Sequence, residues 1–334
     1  MRTHQSGRLV QAALAMIALV LALALSECGS EDEPSTPAAS SSTEAPAPAE
    51  DASKIKADPA NKGKTVKIGS KNFTESIIIG NIYGMALKEA GFTVSYDLNL
   101  GLENVANKAI EDGDIDGYPE YTGTALTALL GVDPKDVPKD EDQAYERAKE
   151  LYKEKFDFVA LPQTPFTDSN AVGMTKEKAV ELGNPTKISD LKSPNRELSL
   201  AASAECFKRA DCAKGLEEVY GLKFKEIPID VAQRHEVILT GKSDLTIPFT
   251  TDGAIAANEE VILEDDKDLF PPYNVTFVLS QEAADKLGPA GQKVITTVQE
   301  GLSTEVMSEL NSRVDLDKEK PEDVAAEYLK DYIG

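Results

Sequence analysis

From residue 65 onward the chain alternates two hydrophobic rhythms, a period of two over short runs and a period near 3.6 over longer ones. The run TVKIG at 65–69 reads as a strand, and 74–90 reads as a helix with Ile78, Ile82 and Leu87 at helical spacing. Thr74 is its candidate N-cap and Gly91 its stop. The unit repeats as a strand at 92–98, a helix at 102–112, a strand at 115–118 and a helix at 122–130. Short strands at 158–161 and 171–174 flank the turn-rich PQTPFTDSN, 162–170. Beyond it, 198–201, 224–229 and 244–247 read as strands, with helices at 213–220 and 233–240. A returning strand at 274–279 precedes the closing helices. The last has Pro321 at its start, Glu322 and Asp323 in its first turn and Lys330 near its end. Strands alternating with helices predict an α/β fold with a mainly parallel sheet, which binds ligands beyond its strand ends. The segments 162–170 and 245–248 are the candidate connections between lobes. No period of 20 to 50 residues recurs, which disfavours a solenoid or propeller.

The first rhythm is different. Arg2 and Arg8 precede an apolar run at 12–25 that is shorter than the roughly 20 residues of a membrane span, so 1–27 is expected to be an export signal. Leu25, Ser26, Glu27 and Cys28 resemble the lipobox of bacterial lipoproteins, which implies a lipid on Cys28 anchoring the chain outside the cytoplasmic membrane. Glu27 departs from the small residue usual there, and a stray cysteine after an ordinary signal is the alternative. Residues 28–63, rich in Pro, Ala, Ser and Glu, hold too few large apolar groups to order themselves and read as a tether. The expected lobes are 64–165 with 272–334, and 166–271.

Composition narrows the function. With 334 residues and 41% hydrophobic content, the chain suffices for two moderate cores. A net charge of -23 argues against tight binding to nucleic acid, which needs clustered Lys and Arg. In an exported chain Cys206 and Cys212, five residues between them, favour a local disulfide. His235 is the sole histidine of the expected mature chain, and no spacing resembles a zinc or iron site, so neither metal nor cofactor is expected. The absence of GxSxG and HExxH argues against an enzyme, although paired carboxylates leave an exported glycoside hydrolase open.

Five motifs in order complete the reading: IGSKNFTESIIIGNIYG, GDIDGYPEYTGTAL, VYGLKFKEI, FTTDGAIAA and VILEDDKDLFPPY. Together they make 66–332 resemble the substrate-binding proteins of ATP-driven importers for glycine betaine, choline and related osmoprotectants. That resemblance implies a two-lobed, type II periplasmic-binding-protein fold with two hinge crossings. It further implies a monomer that delivers a small zwitterion to a membrane permease driven by a cytoplasmic ATPase. A quaternary ammonium cannot donate a hydrogen bond and is held best by aromatic faces, whereas a carboxylate wants Arg, Lys or a helix N-terminus. By resemblance, Tyr121, Phe249 and Tyr273 form an aromatic cage, and Lys71, Thr124 and Arg209 meet the anionic end. Tyr118 and Asn72 flank the site. Asn170 stands where many relatives have a further tyrosine, and Phe249 lacks a hydroxyl, so a different small zwitterion or polar solute stays open. Lys71 and Arg209 favour a carboxylate-bearing ligand over choline, and a disulfide loop would set the position of Arg209. The competing readings are plain ones: Tyr121, Tyr273 and Phe249 as core residues, Lys71 and Arg209 as solvated charges, Glu120 and Asp252 as helix caps or lobe bridges.

Overall fold

The computed structural model describes residues 54–192 and 197–333. The export signal, Cys28 and most of the tether therefore lie outside the described residues. Ten strands occur among them, β1 (Thr65–Gly69), β2 (Thr93–Asp97), β3 (Gly117–Tyr121), β4 (Phe158–Ala160) and β5 (Val172–Met174), then β6 (Leu198–Ala202), β7 (Phe224–Pro228), β8 (Leu245–Thr246), β9 (Val261–Leu263) and β10 (Val275–Ser280). The helices are α1 (Thr74–Glu89), α2 (Glu103–Glu111), α3 (Thr122–Thr124), α4 (Glu141–Phe156), α5 (Lys176–Glu181) and α6 (Ala213–Tyr220). They continue with α7 (Glu236–Leu239), α8 (Gly253–Ala257), α9 (Gln281–Gln299), α10 (Thr304–Asp315) and α11 (Pro321–Ile333).

Two five-stranded mixed sheets result, in the orders β2-β1-β3-β10-β4 and β7-β6-β8-β5-β9. In each, the outer three strands run parallel, and one later strand turns antiparallel to its neighbours on both sides. Alternation in β1 buries Val66 and Ile68, and the buried face of α1 adds Ile78, Ile79 and Ile82. Each such side chain contributes about 1.5–3 kcal/mol on leaving water. With α9, α10 and α11 these residues form one core against the first sheet, while α2 and α4 bury Tyr118, Tyr145 and Tyr152 in another. The second sheet has its own core around Met174, Leu200 and Leu216.

The backbone passes between the sheets twice, once from β4 to β5 and once from β9 to β10. The two crossings touch, Thr167 forming an antiparallel bridge with Asn274. The expectation of a crossing at 245–248 is corrected, since β8 lies in the middle of the second sheet, between β6 and β5. Its neighbours bury it on both edges, which a mobile connection would not allow. Three further expectations shift. The strand expected at 115–118 runs from Gly117 to Tyr121, the helix at 122–130 is one α turn followed by a π-helical turn at Ala125–Leu129, and the helix at 233–240 shrinks to α7 after a 3-10 turn at Val231–Gln233. Helix α4, capped by the Asp140 carboxylate on the Gln143 amide, has a charge-rich sequence that hides its buried face of Ala144, Ala148 and Tyr152.

Candidate functional site

Residue parity in β3 sorts its two tyrosines. Side chains alternate along a strand, so Tyr118 and Tyr121, three apart, face opposite sides. Tyr118 is fully buried against α4 and donates its hydroxyl to Glu120 Oε2 at 2.7 Å. Tyr121 instead reaches the cleft between the sheets. The turn after it can press against the second crossing because residue 123 is glycine. A Cβ there would lie 2.6 Å from the Pro272 carbonyl oxygen and 2.8 Å from the Tyr273 ring. The Thr122 hydroxyl donates to that same carbonyl at 3.0 Å.

Two adjoining chambers of about 50 Å³ each occupy the cleft and share Leu102, Asn170, Arg209 and Phe249. The first is walled by the rings of Phe73, Tyr121, Phe249 and Tyr273, with Lys71, Glu103, Thr124 and Asp168 between them. The second adds Ser203, Arg234 and the Cys206–Cys212 disulfide. Phe73 stands 5.6 Å from Tyr121 and 5.4 Å from Phe249, centroid to centroid. Three of these rings already face cations: the Lys71 ammonium lies 4.2 Å from the Tyr121 centroid and 5.5 Å from that of Phe73, and the Arg234 guanidinium carbon 4.6 Å from that of Phe249. These volumes are far below the roughly 300 Å³ of an ordinary small-molecule pocket, so the lobes have to part for a solute to enter.

Every basic group in the site has an acidic partner. Lys71, almost wholly buried, donates to Glu120 Oε1 at 2.5 Å, and Glu120 also accepts the Tyr121 amide at 2.6 Å. Arg209 forks onto Asp211 at 2.9 and 2.6 Å, donates to Thr124 at 3.4 Å and faces Glu103 at 3.6 Å. Burial alone would raise the Asp211 carboxyl, but Arg209 holds it below the usual range. Tyr273 donates to Asp211 at 2.8 Å and accepts from Asn170 at 3.2 Å. Behind Phe249, Asp252 accepts from Arg234, from His235 at 2.9 Å and from the Phe249 amide at 2.8 Å. His235 meets Glu260 through its other nitrogen at 2.8 Å. Burial would lower the His235 pKa, yet these two carboxylates lift it to about 9. Asp168 and Glu75 lack such a cation, and burial among carboxylates pushes both upward, Asp168 well above its usual range. Glu75 ties α1 to the rest of the cleft by accepting from Tyr121 at 2.8 Å, Thr251 at 2.5 Å and Asn311 at 3.0 Å.

The structure thus brings Lys71, Tyr121, Thr124, Asn170, Arg209, Phe249 and Tyr273 around one cavity. Tyr118 and Asn72 line neither chamber. Asn72 is placed by its backbone N–H, which donates to the Gly101 carbonyl at 3.1 Å. The sequence reading missed Phe73, Glu103, Asp168, Asp211 and Arg234. Phe73, rather than the expected Thr74, is the N-cap of α1, an apolar residue in extended conformation in the turn between β1 and α1. No helix among the described residues is long and apolar enough to cross a membrane.

Comparisons with known proteins agree with this architecture. Residues 64–331 match the family model described as the substrate binding domain of ABC-type glycine betaine transport system. A glycine-betaine-binding protein of Pseudomonas aeruginosa is 30% identical, the match covering 81% of this chain and 89% of that one. The carnitine transport binding protein OpuCC of Listeria monocytogenes is 28% identical, covering 80% of this chain and 86% of that one. A crystal structure described as a glycine betaine/carnitine/choline ABC transporter superposes with a TM-score of 0.64 at 28% identity, covering 81% of this chain and 99% of that one. The chain therefore belongs to the family of substrate-binding domains of ABC-type glycine betaine transport systems, and is a solute-binding protein with the type II periplasmic-binding-protein fold rather than an enzyme.

Proposed function

We propose that the protein captures a small solute with a quaternary-ammonium head, of the glycine betaine class, and holds the head in the first chamber. The observation that carries this reading is the set of four rings, Phe73, Tyr121, Phe249 and Tyr273, on one buried cavity between the lobes. Each ring face contributes about 0.5–2 kcal/mol toward a cation, and more when water is excluded. A head without N–H groups suits such a wall, because it leaves no donor unsatisfied. Phe73 supplies the aromatic surface that Asn170 does not. Tyr118 and Asn72 act at one remove, the former through Glu120. Closure of the lobes over the solute then yields the form that docks on a permease powered by a cytoplasmic ATPase. The chain acts as a monomer held to the membrane by a lipid on Cys28.

A methylation series tests the reading. In a thermal-shift titration of the purified protein, glycine betaine should raise the melting temperature, and dimethylglycine and glycine should do so progressively less. Selective binding to the native state adds about 2.7 kcal/mol at one hundred times Kd. Equal shifts along the series, or chemical turnover of the solute, would sink the proposal.

A further inference from the structure

Two carboxylates line the first chamber, and their surroundings differ. Asp168 accepts the Thr251 amide at 3.1 Å. Glu103 is 2% exposed and its Oε1 has no hydrogen-bond partner. Arg209 Nη1 lies 3.6 Å from that oxygen, near enough for attraction between charges but too long for a hydrogen bond. Arg209 is already forked onto Asp211, so the three groups together carry one net negative charge. Glu103 also opens α2, where the helix dipole favours a carboxylate. That alone does not account for its burial, because a first-turn glutamate serves the dipole equally well from the surface. A buried acceptor without a donor is unfavourable, and such groups in native structures call for a partner.

We propose that Glu103 is a specificity-determining acceptor: among quaternary-ammonium solutes it selects those that bring an O–H or N–H donor into the chamber. This rests on the quaternary-ammonium reading above and adds the second end of the ligand. A carboxylate on that end has to compete with Glu120 for Lys71 and with Asp211 for Arg209. A hydroxyl meets the free oxygen of Glu103, and the Thr124 hydroxyl stands on the same wall.

Calorimetric titration with two matched pairs tests the assignment: carnitine against γ-butyrobetaine, which lacks only the hydroxyl, and choline against its O-methyl ether. The full chain should bind the hydroxyl member of at least one pair about tenfold or more tightly than its partner, the effect of one charge-assisted hydrogen bond. Glu103→Ala should bring that ratio to within about threefold. If thermal melting shows that variant unfolded, Glu103→Gln, which keeps the shape and removes the charge, should still reduce the ratio. Wild-type ratios near one, or a variant that weakens both members of a pair equally, would overturn the role of Glu103 while leaving the quaternary-ammonium reading intact. No heat from any of the four compounds would overturn the role of Glu103, and glycine betaine titrated alongside them would decide the quaternary-ammonium reading separately.

Discussion

Phe249 is the member of the proposed cage whose role can be isolated most cleanly, because it is only partly buried and its hydrogen bond to Asp252 runs through the backbone. Phe249→Leu keeps apolar volume and removes the π face. It should weaken binding of a quaternary-ammonium ligand by roughly 2- to 30-fold, the equivalent of about 0.5–2 kcal/mol, with little change in melting temperature. Unchanged affinity in calorimetry would remove Phe249 from the cage. Tyr121 and Tyr273 are less clean targets, since both are buried in the core and truncation would cost stability as well. At this scale the sequence pointed to three of the four rings, which sit in distinctive turn motifs, but not to Phe73 or to the partners of the charges beside them. The partner of Lys71 is Glu120, 49 residues away, and the partners of Arg234 are set by how the second lobe folds. No local pattern carries that information. Arg209 and Asp211 are the exception, two residues apart and legible as a fork in retrospect.

At the scale of elements, the disulfide loop and the 234–260 network act as the two supports of the cleft. Arg209 and Asp211 both lie inside the loop closed by Cys206 and Cys212. Reduction should lower stability by about 2 kcal/mol on loop-closure grounds and weaken ligand binding as well, since Arg209 loses its fixed place. Full affinity after verified reduction would show that the loop does not position the arginine. The second support depends on pH. The folded pKa of His235, about 9, exceeds its ordinary 6.5, so its contribution is complete below about pH 6.5 and disappears as pH rises through about 9. Wild type should lose up to about 3 kcal/mol across that window relative to His235→Gln, measured by denaturant unfolding. Parallel pH profiles would contradict the ion pairing. Resemblance placed Tyr118 beside the site, and the element boundaries show why it lines neither chamber. Ending β3 at residue 118 put Tyr121 in a turn, whereas the observed strand extends to it and parity then separates the two rings. Pro119, which donates no hydrogen bond, obscured the strand.

For the whole molecule, the alternation of strands and helices made the α/β class legible, and the ordered motifs made the two-lobed arrangement legible. The second crossing was not, because β8 is only two residues long and looks like a connection. Groups from both lobes and from the crossings line one cavity, and Asp168, in the first crossing, is among them. Burial there raises its pKa well above the ordinary value. Relative to the empty closed form, a permanently cationic guest beside it favours the ionised form, so replacing the empty closed form by the loaded one should expel a fraction of a proton into the medium. Titrations in phosphate and in Tris, whose heats of ionisation differ widely, should then report different apparent enthalpies for the same ligand. The gap should vanish in Asp168→Asn and shrink toward alkaline pH, where the carboxyl has already ionised. The import cargo would thus exchange places with a hydrogen ion, which ties uptake to the acidity of the surroundings.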